Sequence, residues 1–172
     1  MVEPVSDPRD EFTEWARARQ PHLLRAAVLL TGDRGRAEDL VQEALTQVAM
    51  RWSRLRDSSP DAYARKVIYH GNVSAWRRRR HEVLSADAAP YAVGRPAEPI
   101  ERRLLIRQAL AGLTRRQRAV VVLRYFEDLS ERDAAGVLGV SVGTVKSQTH
   151  LALRRLREAA PELADLLHEE SR

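Results

Sequence analysis

LSERDAAGVLGVSVGTVKSQTHLALRRLR, residues 129–157, decides the fold class of this chain. Ser130 and Asp133 form an S-x-x-D start signal, in which a hydroxyl and a carboxylate satisfy free backbone N–H groups. Ala134, Ala135 and Leu138 make a short apolar stripe that ends at Gly139, a residue free to take the left-handed turn conformation. Beyond Val140 and Ser141 a second stripe, Val142, Val145, Thr149, Ala152 and Leu156, recurs every three or four residues. The pattern is helix, tight turn, helix, with Lys146, His150, Arg154 and Arg157 on the outer side of the second helix. Between Ala134 and Arg157 there is no acidic residue. A helix-turn-helix places its second helix in the DNA major groove, where carboxylates would be repelled by phosphate. An ordinary helical hairpin with a solvated basic face has the same pattern, so the rest of the chain must choose between the two.

The chain has 172 residues, enough for one domain or two small ones. Glycine and proline number 8 each and strand-like alternation is scarce, which predicts an all-α protein. The formal charge of +5 suits a polyanionic partner without proving one. With no cysteine, disulfides, thiol catalysis and Cys-based zinc sites are excluded. The opening MVEPVSDPRDEF is polar and acidic, unlike a signal peptide, and no apolar run approaches the roughly 20 residues that span a bilayer. The expectation is a soluble, cytoplasmic protein with no membrane insertion.

Charge placement is more informative than net charge. Residues 62–81 contain no acid, while Arg65, Lys66 and Arg77, Arg78, Arg79 and Arg80 supply fixed positive charges. Trp76 directly precedes the arginine run, and Tyr63, Tyr69 and His70 lie upstream. Cations interleaved with aromatic rings suit single-stranded or melted nucleic acid, where exposed bases stack. A solvated charge run at a helix C-terminus is the plainer alternative. Residues 158–170 reverse the sign, with five acids and no Lys or Arg.

Punctuation divides the chain. One helix is expected from about Arg9 to Leu30, with Phe12, Trp15, Leu23, Leu24, Ala27 and Val28 inward and a kink or break at Pro21. A second, Ala37 to Leu55, puts Ala37, Leu40, Val41, Ala44, Leu45, Val48, Ala49, Trp52 and Leu55 on one face. Ser59-Pro60 resembles an N-cap followed by proline at the first helical position, and opens a third helix that runs to about Arg80. Residues 85–99, SADAAPYAVGRPAEP, have the composition of a flexible linker. Helical patterning resumes near Ile100, and Thr114 to Gln117 is a capping-box pattern opening a helix with Ala119, Val120, Leu123 and Phe126 inward.

In this order the segments resemble a bacterial RNA polymerase sigma factor of the extracytoplasmic-function type. AEDLVQEAL, residues 37–45, is similar to that family's core-polymerase-binding helix. PDAYARKVIYHGNVSAWRRRR, residues 60–80, resembles the helix that engages the −10 promoter element. LTRRQRAVVVLRYFEDLSERDAAGVLGVSVGTVKSQ, residues 113–148, resembles region four, including its VGTVKS signature. The WRRR ending and the VGTVKSQT string look most like the sigma-E-like subgroup. The resemblance implies a fold of two small helical domains, residues 9–84 and 100–167, joined by the linker at 85–99.

It also implies roles. Asp39, Leu40, Gln42 and Glu43 would dock on the basic clamp helices of core RNA polymerase, a partner that acids suit. Arg56, Asp57 and Ser58 in the loop before the third helix, with Tyr63, Lys66, His70, Trp76 and Arg77 to Arg80, would capture the single-stranded −10 element. A flipped base there needs hydrogen-bonding groups and a packing surface. For Tyr63 and Trp76 an ordinary core role fits equally well. Val142, Gly143, Thr144, Lys146, Ser147, Gln148 and His150 would contact the double-stranded −35 element, with a plain surface role fitting His150 equally well; Arg115, Arg116 and Arg118 at the preceding helix start would add phosphate contacts, and a solvated face explains them about as well. Two departures stand out: His70 replaces the family's usual Asn, and Gln148 and Leu151 replace frequent arginines. Fewer phosphate contacts imply weaker, less salt-sensitive −35 binding. An anti-sigma factor is a further partner usual for the family.

No catalytic site, metal site or cofactor is expected. The five histidines are scattered without H-E-x-x-H spacing, and glycines occur singly rather than in a phosphate-cradling loop. The alternative function is a stand-alone helix-turn-helix transcription regulator.

Overall fold

The structure is a computed structural model and describes residues 7–79 and 100–161. The expected linker at 85–99 and the acidic tail beyond Pro161 lie outside the described residues. Among those described, every regular element is a helix. Helix α1 (Pro8–Thr31) is capped by the Asp7 carboxylate and ends at Gly32, whose φ of 72° closes the turn onto Val28. Asp33 caps α2 (Arg34–Ala49), accepting from the Arg36 N–H at 2.7 Å. A single turn, α3 (Trp52–Leu55), leads to α4 (Pro60–Arg79), where Ser59 Oγ receives the Ala62 N–H.

The C-terminal half begins with α5 (Ile100–Ala111) and α6 (Arg115–Val121). Thr114 and Gln117 form the full capping box, each side chain accepting the other's backbone N–H. A π-helical turn, Val122–Phe126, follows α6. Helices α7 (Glu131–Leu138) and α8 (Val142–Ala159) then make the helix-turn-helix, capped by Ser130 and Ser141. Gly139 between them has φ of 66°, a value that costs an L side chain strain.

The two halves share one core. Leu30 of α1, Val48 of α2 and Ile68 of α4 belong to the same buried cluster as Val120, Leu123 and Val145. Helix α4 packs on α2 and, on another side, on α7; α1 reaches α6 and the π turn. Each fully buried aliphatic side chain contributes about 1.5–3 kcal/mol. A second cluster, around Leu110, Leu113, Leu153 and Leu156, ties α5 to α6 and α8.

Three expectations are corrected. Pro21 does not divide α1, which runs on through it; the proline sits on the exposed side, where the Arg17 carbonyl can turn to water. The second helix does not run to Leu55: it stops at Ala49, and the chain turns at Met50–Arg51. Trp52 then packs with Phe12 and Trp15, ring centroids 5.5 and 5.6 Å away, an aromatic cluster a continued helix would misplace. Val142 does not face inward. It is 38% exposed at the start of α8, and Leu153 fills the stripe instead.

Candidate nucleic-acid interface

Helix α8 is held by Val145, Ala152, Leu153 and Leu156, all buried. That fixes its outer face. Val142, Gly143, Lys146, Ser147 and His150 are exposed together, with Thr144 and Gln148 half-buried beside them. Ser141 Oγ receives the Thr144 N–H at 3.1 Å and lies 2.9 Å from its hydroxyl, so Thr144 is part of the cap. Ser147 Oγ donates to the Thr144 carbonyl at 3.0 Å. Lys146 Nζ lies 3.7 Å from Glu131 and is 64% exposed, a contact weak enough to yield to a phosphate. Arg118 is not available for phosphate. Its guanidinium donates to the carbonyls of Leu110 and Ala111, ending α5, and reaches the Leu30 carbonyl of α1. Burial, then the Arg36 charge, lowers its pKa from the ordinary arginine value.

Before α4, the Arg56–Ser59 loop is exposed. Arg56 bonds Glu11 at 3.1 Å and lies 3.6 Å from Asp57, while Ser58 Oγ donates to the Leu55 carbonyl. Tyr63 is half-buried; its hydroxyl donates to Gln47 Oε1 at 3.2 Å and the Arg51 guanidinium stands 5.5 Å over its ring. Lys66 is exposed on the same helix. His70 is also on this side, but its Nε2 is 2.8 Å from the Val137 carbonyl of α7. The side chains of Trp76, Arg77, Arg78 and Arg79, and the whole of Arg80, lie outside the described residues.

On α2 the inward residues Ala37, Val41, Ala44 and Val48 turn Asp39, Gln42 and Glu43 outward, where all three are exposed. Glu43 Oε1 accepts from Gln47 at 2.6 Å. Leu40 is half-buried against α4, and a Cβ on Gly71 would come within 2.8 Å of its Cδ2. The bare glycine therefore sets how closely α4 approaches this helix. Beside Gln42 a cleft of about 630 Å³ opens between α1 and α2, floored by Phe12, Leu24, Val41 and Leu45.

The sequence reading missed one cluster. Glu127, directly after the π turn, has a side chain only 1% exposed. Its Oε2 accepts from Arg65 Nε of α4 at 2.8 Å and lies 3.3 Å from His22 Nε2 of α1. The His22 ring stacks on Phe126 at 5.1 Å. Tyr69 is fully buried nearby with no partner for its hydroxyl; burial, then the Glu127 charge, raises its pKa well above the usual tyrosine value. No local pattern announces this cluster, because Arg65 and Glu127 are 62 residues apart. Among the described residues no group of three or more His, Asp or Glu side chains gathers as a metal site, and no helix is long and apolar enough to cross a membrane.

Comparison with known proteins converges on one family. Residues 15–82 match the family model for sigma-70 region 2, and residues 103–156 match that for sigma-70 region 4. The RNA polymerase sigma-E factor of Streptomyces avermitilis is 42% identical over 150 residues, which cover 86% of this chain and 84% of that protein. The extracytoplasmic-function RNA polymerase sigma factor SigL of Mycobacterium tuberculosis is 36% identical over 82% of this chain and 84% of its own length. Among solved structures, the sigma factor RpoE of Bartonella quintana, crystallised with the anti-sigma factor NepR, superposes with a TM-score of 0.76 at 25% identity, covering 89% of this chain and 98% of that one. A region 2 match over residues 15–82 fills the space where a stand-alone regulator would carry its ligand or dimer domain. The chain belongs to the extracytoplasmic-function sigma factors, in the sigma-E-like group, proteins that direct bacterial RNA polymerase to promoters.

Proposed function

We propose that this sigma factor clamps a promoter at two points with separate modules, residues 9–84 and 100–167, linked by residues 85–99. Val142, Gly143, Thr144, Lys146, Ser147, Gln148 and His150 hold duplex at −35. Lys146, Ser147 and Gln148 reach base edges, and the backbone N–H groups at Gly143 and Thr144, at the helix start, meet phosphate. The joint exposure of this face on a helix whose other side is buried is the observation that carries the assignment.

The loop residues Arg56, Asp57 and Ser58, with Tyr63, Lys66, His70 and Trp76, take unpaired −10 bases, and Arg77 to Arg80 hold phosphates without reading sequence. Asp39, Leu40, Gln42 and Glu43 dock on core polymerase, with the neighbouring α1–α2 cleft receiving apolar side chains of that partner. Polymerase supplies the chemistry, and the chain works beside it in the cytoplasm. Likeness to a sigma factor crystallised with an anti-sigma factor supports a partner of that kind here too.

The docking assignment is tested by pulling down core polymerase with the wild-type chain and with Asp39→Ala/Gln42→Ala. Both side chains are exposed, so the variant keeps its fold. Loss of capture with an unchanged thermal melt is expected; full capture would remove α2 from the interface.

A further inference from the structure

We propose that Glu131, the first residue of α7, is a specificity-determining residue for the −35 element, which keeps the Lys146 ammonium on base edges and off the DNA backbone. This rests on α8 being the −35 helix. Residues 134–157 hold no acid, and the two carboxylates of α7 that precede them have different duties. Asp133 is taken up in the helix cap: its Oδ2 accepts from Ser130 Oγ at 2.5 Å, and its backbone N–H donates to the same hydroxyl. Glu131 instead reaches across to α8, where its Oε2 stands 3.7 Å from Lys146 Nζ.

The pair joins the two helices of the helix-turn-helix, the first of which crosses the DNA backbone while the second lies in the groove. An ammonium is a compact charge with three donors on a flexible stem, and nothing in its own chemistry tells a base edge from a phosphate. Glu131 supplies the difference. The surface pair is weak, so its strength alone does not hold the lysine. A lysine that moves to a phosphate, however, leaves an unpaired carboxylate beside a polyanion. One that stays gives a single N–H to Glu131 and keeps two for base acceptors such as guanine N7 and O6. The acid therefore penalises backbone binding and spares base reading. An acid in the first turn of α7 also suits the helix dipole, but that role leaves the choice of base unchanged.

The experiment uses holoenzyme, assembled from the full chain and core RNA polymerase, with a randomised library of duplex promoters. Sequencing the bound fraction gives the base preference at each position, and a duplex that the selection rejects gives non-specific affinity against salt. A thermal melt confirms that each variant is folded. Glu131→Gln should lower the preference at one upstream position roughly threefold, about the effect of an exposed ion pair. It should also tighten binding of the rejected duplex, with a salt slope steeper by about 0.9 for the phosphate gained. Lys146→Ala should flatten the same position, and adding Glu131→Gln to it should change neither that position nor the slope any further. Preference kept in Glu131→Gln, or lost evenly at every position, overturns the proposal. So does a slope that Glu131→Gln still steepens in the Lys146→Ala background, since the acid would then be a bare repulsive charge. If Lys146→Ala flattens no upstream position, the −35 reading of Lys146 falls and the proposal with it; the other contrary outcomes leave that reading standing.

Discussion

Lys146, Ser147 and His150 of α8 stand open to solvent, whereas Arg65 and His70 of α4 are spent on groups of the opposite module. Both helices are basic, and residues 62–81 and 134–157 are free of acids. They differ in what packs on them. Helix α8 is held by one buried stripe, Val145, Ala152, Leu153 and Leu156, which leaves Val142, Gly143, Lys146, Ser147 and His150 exposed. Helix α4 is packed by α2 on one side and α7 on another, so it is a structural wall. A charged helix is therefore not automatically an available one; availability is decided by long-range packing.

The largest effect is expected at the arginine run. Replacing Arg77 to Arg80 together by alanine should weaken binding of single-stranded DNA about a hundredfold and flatten its salt dependence by about three units of slope, at roughly 0.7 per phosphate. A fluorescence titration at several salt concentrations reads both numbers; an unchanged slope would place these arginines away from the backbone. On α8, Lys146→Ala or Gln148→Ala should cost about 1–3 kcal/mol of duplex −35 recognition in holoenzyme. If these residues read bases, the loss falls on particular promoter positions. A loss equal on all sequences would make them phosphate contacts only.

Gly139→Ala tests the hinge that aims α8. The left-handed φ of 66° should cost an alanine about 1–2 kcal/mol, seen as a lower urea midpoint. Tyr69→Phe is the mildest change and probes the covered seam. Because burial and Glu127 raise the Tyr69 pKa above the ordinary tyrosine value of 10.0, the wild-type fold keeps a proton that the unfolded chain releases. Its contribution is thus intact below pH 10 and falls as pH rises beyond it. Near neutrality Tyr69→Phe should shift stability by less than about 1 kcal/mol, since an unpartnered hydroxyl is removed. Melts above pH 10 should show the variant losing less stability than wild type.

Local chemistry made much of this legible in the sequence. The Thr114–Gln117 capping box, the Ser130 and Ser141 caps and the Gly139 turn stand where their residue types place them. So do the outward Asp39, Gln42 and Glu43, because the apolar stripe of α2 leaves them no other side. What escaped was set at a distance. The break at Met50–Arg51 follows from Trp52 packing on Phe12 and Trp15, residues nearly forty positions earlier. Nothing in the sequence singles out Glu127, whose side chain is buried by contacts from the first half of the chain, Arg65 of α4 and His22 of α1 among them. Arg118 likewise reads as a phosphate ligand until the carbonyls of Leu110, Ala111 and Leu30 surround it.

A two-point promoter clamp is tested most directly by run-off transcription from a randomised promoter library, with core RNA polymerase in the presence and absence of this chain. The templates selected should share two motifs at a fixed spacing, with Lys146→Ala relaxing the upstream motif alone and the arginine-run variant abolishing open complexes on all of them. Transcripts that do not depend on the chain, or a selected set with a single motif, would contradict the clamp.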